Sequence, residues 1–145
     1  MENNVIKYKT FSLTPIITNG KPGELIDLDL KKICLKHEIP FTISKCFYIN
    51  ELNSELSRGN HSNSNASEIL ICLKGSFEIK LHDGIEEKIF KLNKNDAIYI
   101  NKNIWISYYN FNDCIIMAFV NIIVNDKTSC YNFNDFISNN HNNPK

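Results

Sequence analysis

The chain has 145 residues, 43% of them hydrophobic and 22% charged, with a formal net charge of zero, which describes one ordinary globular domain long enough to bury a core. Its lysines are spread out and matched by acids, so there is no electrostatic case for nucleic acid or an anionic membrane as the main partner. No apolar run nears the ~20 residues of a membrane-spanning helix, and the opening MENNVIKYKTFSLTP lacks the charged-then-apolar order of a secretion signal; a cytoplasmic protein is expected.

In chain order, DLDLKKICLKHEIP (27–40) has some helical spacing but fits a strand and a turn equally well, and His37 within it reads as solvated. From there the apolar segments are short, β-branched or aromatic, and bounded by Asn, Asp, Gly or Lys. FTISKCFYIN (41–50), EILICLKGSFEIKLHDG (68–84), EEKIFKL (86–92), DAIYI (96–100), IWISYYNF (104–111) and CIIMAFVNIIV (114–124) read as successive strands. Within 68–84, Lys74-Gly75 reads as a break, and His82-Asp83-Gly84 as a hairpin turn that leaves His82 exposed. NFNDFISNN (132–140) is a candidate short helix, and the last residues are too polar to pack. The expectation is one all-β domain over 1–138, a sandwich or barrel with small or no helical content, and a disordered polar tail over 139–145.

The five cysteines (34, 46, 72, 114 and 130) include no C-x-x-C pair. Cys46, Cys72 and Cys114 lie in apolar strand-like runs, where a reduced thiol behaves as a small hydrophobe.

The stretch RGNHSNSNASEIL (58–70) holds the only arginine in the chain, three residues before His61. Residues two apart on a strand share a face, so an extended backbone would point His61 and Asn63 the same way. With Glu68 and Gly75 following, the spacing resembles the first motif of the cupin superfamily, a jelly-roll β-barrel. A cupin metal site takes two histidines and a glutamate here and a later histidine. This chain has Asn63 in the second histidine position and no histidine in 95–110. That leaves fewer than three good ligands, so neither a metal nor another cofactor is expected. A neutral histidine can still move a proton α to a ketone through an enediol, and an arginine fork suits a diphosphate or carboxylate.

Five collinear pieces carry a closer resemblance. IPFTISKCFYI (39–49), RGNHSN (58–63), EILICLKGS (68–76), IWISYYNFNDC (104–114) and YNFNDF (131–136) resemble the dTDP-4-keto-6-deoxyglucose 3,4-ketoisomerases, the WxcM-like cupins of deoxysugar biosynthesis. The resemblance implies a metal-free isomerase that moves the ketone of a dTDP-linked 4-keto-6-deoxyhexose from C4 to C3 and feeds an aminotransferase. It also implies a homodimer that exchanges N-terminal strands. His61 matches the family's base, Asn63 stands at its second histidine, and Tyr48 at the second of its paired tyrosines; these three form the expected catalytic set. Arg58, Lys45, Glu68, Trp105 and Tyr109 form the expected substrate-binding set. Glu68 matches a strand-leading glutamine, and Ile106 and Ser107 replace a histidine and a glutamate. These departures fall on polar positions while the apolar scaffold is kept. Other readings stay open: Asn63 as a turn former, Glu68 as the group holding His61 in one tautomer, and the whole chain as a non-catalytic nucleotide-sugar binder or a related epimerase.

Overall fold

Two long strands organise the computed structural model, which describes residues 5–16, 20–121 and 129–142. They are β4 (Glu68–His82) and β7 (Trp105–Val120), paired antiparallel over nearly their whole lengths. The remaining elements are β1 (Tyr8–Ser12), α1 (Leu30–His37), β2 (Lys45–Leu52), β3 (Ser57–Asn63), β5 (Glu87–Asn93), β6 (Asp96–Ile100), β8 (Ser129–Cys130) and α2 (Phe133–Asn142).

The first half of β4 also pairs with β6, which pairs with β1, while the second half of β7 pairs with β2. At the other end, the second half of β4 pairs with β5, and the first half of β7 with β3, which continues to β8. Two half-sheets thus share β4 and β7 and close on one core. Leu70, Ile98 and Ile116 from the first half and Ile79, Leu81 and Ile106 from the second fall in a single buried cluster. This is the expected cupin jelly roll.

The bend between the halves has a local cause. Register shifts occur at Cys72/Lys74 and Lys74/Ser76, opposite Asn112 and Asp113. Gly75 has φ +70, and a Cβ there would lie 2.0 Å from the Asn112 carbonyl oxygen, so only glycine lets the strands approach. Lys74 and Asp113 pair across the bend at 3.1 Å. The break expected at Lys74-Gly75, and the gap expected between 104–111 and 114–124, are therefore bends inside continuous strands. Both partners bend together, and the ladder resumes on either side. The predicted strand end at 122–124 lies outside the described residues.

The 27–40 segment resolves as a helix. Asp29 Oδ1 accepts the Lys32 N–H at 3.2 Å, and Glu38 in the left-handed region (φ 57) ends α1. Cys34 and Ile39 cover the outer face of the first half-sheet with Phe11, Ile69, Tyr99 and Phe119. His37 is not simply solvated: its ring stacks on Phe11 at 4.6 Å, and burial, with the Lys36 and Lys9 charges, lowers its pKa. On the other half, Phe133 and Phe136 of α2 pack against Trp105 and His82. His82 is held at the hairpin, where its Nδ1 accepts the Gly84 N–H at 2.9 Å.

α2 runs through Asn142, so 139–142 are helical rather than part of a disordered tail. Asn140 donates to the Phe136 carbonyl at 2.8 Å and lies against Gly84, which ties this end of the helix down. The His141 side chain and residues 143–145 lie outside the described residues. All five cysteines are free: Cys34, Cys72 and Cys114 are buried, whereas Cys46 is exposed on β2. No helix among the described residues is long and apolar enough to cross a membrane.

Substituting Gly75→Ala forces a Cβ into backbone at a positive φ and should cost roughly 3 kcal/mol or more. Gly23→Ala has open space around it and should cost only about 1 kcal/mol. Urea denaturation of the two variants measures the difference; equal costs would mean that the bend does not depend on Gly75.

Candidate active site

Arg58 and His61 are three residues apart, a spacing that puts side chains on opposite faces of a regular strand. β3 is not regular. Arg58 pairs with Tyr108 and Gly59 with Ser107, but the next residue to pair, with Ile106, is His61; Asn60 is an extra residue. Gly59 (φ +80) and Asn60 (φ +52) make this bulge, and Ser107 Oγ donates to Asn60 Oδ1 at 2.9 Å on the outside. A Cβ on Gly59 would stand 2.8 Å from the Ile106 carbonyl oxygen. Paired residues share a face, and Ile106 and Tyr108 belong to the barrel core. The bulge therefore turns both Arg58 and His61 inward.

Glu68 opens β4 opposite Ile100 on β6 and Val120 on β7, both fully enclosed. It thus faces inward with Leu70 and Cys72. A space of about 30 Å³ lies at this end of the barrel, enough for one water-sized group. His61, Asn63, Glu68 and Asn101 line it together with Ile104 and Ile106. Glu68 is half-buried as a residue, and the burial of its carboxyl raises its pKa to about 7. Tyr108 lies nearby: burial, with a smaller push from the Glu68 charge, raises its hydroxyl to about 12, against the opposing pull of the Arg58 charge. Tyr108 thus stays un-ionised at physiological pH beside the exposed Arg58.

Asn63 shows the turn-forming arrangement. Its Oδ1 accepts the Asn65 N–H at 2.9 Å and the Ala66 N–H at 2.8 Å, and its Nδ2 donates to Ser129 Oγ at 3.2 Å. The carboxamide shapes the loop between His61 and Glu68, and its oxygen is committed to that loop.

The other expected residues do not meet at the cavity. Lys45 faces inward at the end of β2, in the row of Val120 and Glu68, with its ammonium over the Phe47 ring at 5.6 Å. Tyr48 pairs with Met117, which packs in the outer cluster, so its side chain points outward and is 64% exposed. Trp105 and Tyr109 alternate with the inward Ile106 and Tyr108 and stand on the outside. Trp105 is buried beneath Phe133 of α2, with ring centroids 5.3 Å apart, and Tyr109 lies under the Lys80 ammonium at 5.8 Å.

Two aromatic residues were missed. Tyr108 was legible in Ile104-Trp105-Ile106-Ser107-Tyr108-Tyr109, because polar Ser107 marks the outward register and leaves Tyr108 inside. Tyr131, whose ring sits 5.9 Å from that of His61, lies in a recognised segment but is far away in sequence, and no spacing pointed to the contact.

Among the described residues no group of three or more His, Cys, Asp or Glu could hold a metal ion; the cavity offers only His61 and Glu68, a donor set that does not fit a resident metal. A larger opening of about 870 Å³ lies between the end of β3, β8 and α2, bordered by Ser62, Ser64, Asn103, Tyr131 and Asp135. It lies on the outer side of β3, where Ser62 faces, and lacks the histidine.

Comparison with known proteins identifies the family and the fold. The model of the FdtA (WxcM-like, C-terminal) family matches residues 12–141. TDP-4-oxo-6-deoxy-alpha-D-glucose-3,4-oxoisomerase of Aneurinibacillus thermoaerophilus is 30% identical over 120 residues, covering 81% of this chain and 78% of its own. Among solved structures, a 3,4-ketoisomerase from Helicobacter canadensis superposes with a TM-score of 0.79 at 29% identity, over 92% of this chain and 97% of that one. The sugar 3,4-ketoisomerase QdtA of Thermoanaerobacterium thermosaccharolyticum, in complex with TDP, gives a TM-score of 0.80 at 25% identity, over 96% and 98%.

Proposed function

The chain belongs to the FdtA, WxcM-like family, and on that premise we propose that it is a 3,4-ketoisomerase that converts a TDP-linked 4-keto-6-deoxyhexose to its 3-keto isomer. The observation that carries this reading is the β3 bulge, which sets His61 and Arg58 on the inner face beside Glu68 and Tyr108. His61 takes the proton from C3, giving an enediol, and returns it at C4. A suprafacial shift between adjacent carbons needs only one base, so His61 serves both steps and Asn63 needs to move no proton. Arg58, exposed beside Tyr108, carries the charge and the planar fork that a diphosphate requires. The product is a 3-keto sugar, the substrate form an aminotransferase takes, and the reaction belongs in the cytoplasm.

The same reading makes the protein a homodimer. Within the described residues β2 pairs only with β7, leaving an open edge that carries exposed Phe47 and Tyr48, with Ile43 and Leu35 of α1 also exposed. An open edge with exposed apolar side chains calls for a partner, and a second copy supplies a matching one.

Light scattering at micromolar concentration should give twice the chain mass, and Tyr48→Lys combined with Ile43→Lys should shift it toward one; a monomeric native protein would remove the dimer from the account. Incubation with TDP-4-keto-6-deoxyglucose in D₂O, followed by NMR, should show deuterium entering at the ring carbons and the 3-keto product accumulating. His61→Asn should lower the rate by ~10²-fold or more. Binding of the sugar nucleotide without turnover or exchange would instead support a non-catalytic binder.

A further inference from the structure

Moving a ketone from C4 to C3 transfers two hydrogens, and His61 accounts for only one of them. The hydrogen on C3 passes to C4, and the hydrogen on the C3 hydroxyl must pass to the C4 oxygen. We propose that the Glu68 carboxyl is the second proton-transfer group of the barrel, relaying the proton between the two oxygens while His61 relays the one between the two carbons. This rests on the ketoisomerase reading.

The geometry supplies the placement. Glu68 and His61 enter the same small cavity from different strands, β4 and β3, and both face inward by register. The surroundings favour the acid form. The groups packed near Glu68 on β6 and β7 are Ile100 and Val120, with Tyr108 on β7 as a neutral hydroxyl. β3 contributes His61, which lines the cavity, and Arg58, which is exposed, lies beside Tyr108 and does not line it. On β2, Lys45 lies in the same row but is separated from Glu68 by Val120, with its ammonium over Phe47. On β1, Tyr8 pairs with Ile100. The ion pairs among the described residues join Lys7 to Asp83, Lys74 to Asp113 and Lys94 to Glu24, and none involves Glu68. An enclosed carboxyl without a cationic partner keeps its proton toward neutral pH.

The step balances without a co-reactant. The His61 imidazole takes the proton from C3 and the C–H pair becomes the C3=C4 bond. The carbonyl π pair at C4 takes the proton from the Glu68 hydroxyl. The intermediate is a neutral enediol flanked by an imidazolium and a carboxylate, two opposite charges that offset each other. The carboxylate then takes the proton from the C3 hydroxyl, the C3 carbonyl forms, and the C3=C4 pair takes the proton from the imidazolium onto C4. Both side chains return to their starting states. A carboxylic acid suits this relay because one oxygen donates while the other accepts.

The test compares wild type, Glu68→Gln and Glu68→Asp in turnover and in D₂O exchange across pH 5.5–9. In wild type, kcat should fall as pH rises through about 7, because the carboxyl loses the proton it must give to O4. Glu68→Gln should lower kcat by about 10²-fold, leave KM within about threefold, and lose that alkaline limb; Glu68→Asp should restore part of the rate and the limb. Equal kcat and an unchanged pH profile in Glu68→Gln would overturn the relay while leaving the ketoisomerase reading intact. Absence of exchange in wild type would overturn that reading and the relay with it. If Glu68→Gln does not fold, carboxyl ¹³C NMR of the wild-type protein decides: titration near 7 supports the relay, and full ionisation by pH 5.5 overturns it.

Discussion

One extra residue in β3 sets the chemistry of this barrel. Asn60 interrupts the ladder to β7, and the slip rotates the strand so that Arg58 and His61 face the same interior. The interruption depends on Gly59, whose backbone lies against the Ile106 carbonyl and the Tyr108 ring. Without the bulge, one of the two side chains would point to solvent. With it, an imidazole and a guanidinium face the same end of the core, the second of them beside Tyr108.

The division between inside and outside follows from the same alternation. Along β7, Ile104, Ile106 and Tyr108 face the core, whereas Trp105 and Tyr109 face outward, where Trp105 anchors α2. Along β4, Glu68, Leu70 and Cys72 face inward, which carries a carboxyl into an otherwise apolar row. Enclosing that group works against its ionised form, so the fold keeps an acid available near neutral pH. The bend at Gly75 bears on the site only indirectly: it lets β4 and β7 serve both half-sheets and close the core on which His61 and Glu68 are mounted.

Much of this was legible in the sequence. Short β-branched runs separated by Asn, Asp and Gly gave the strands and the all-β class, and the collinear motifs gave the family. Two features were not. A Lys-Gly pair signals a turn and a bulge alike, and the choice depends on whether the partner strand bends at the same place, which local sequence does not encode. The inward set was also read from a resemblance rather than from alternation: Tyr48, Trp105 and Tyr109 were expected at the site, but strand periodicity sends all three outward. The sequence fits Asn63 to site and turn alike, and its bonds to the Asn65 and Ala66 N–H groups show the turn. The sequence singles out His61, Arg58 and Glu68 by type and spacing, and all three face inward. The bulge that joins the first two lay in the Gly59-Asn60 pair, a left-handed-tolerant dipeptide inside a strand.

In the proposed ketoisomerase, the reacting edge of the sugar lies over His61 and Glu68 at the inner end of β3. A crystal structure of the His61→Asn protein bound to TDP-4-keto-6-deoxyglucose tests this most directly. The predicted result is C3 and C4 of the hexose facing residue 61 inside the barrel, their oxygens within hydrogen-bond reach of the Glu68 carboxyl, and the diphosphate at Arg58. A hexose seated on the outer side of β3, in the opening beside α2, would contradict it.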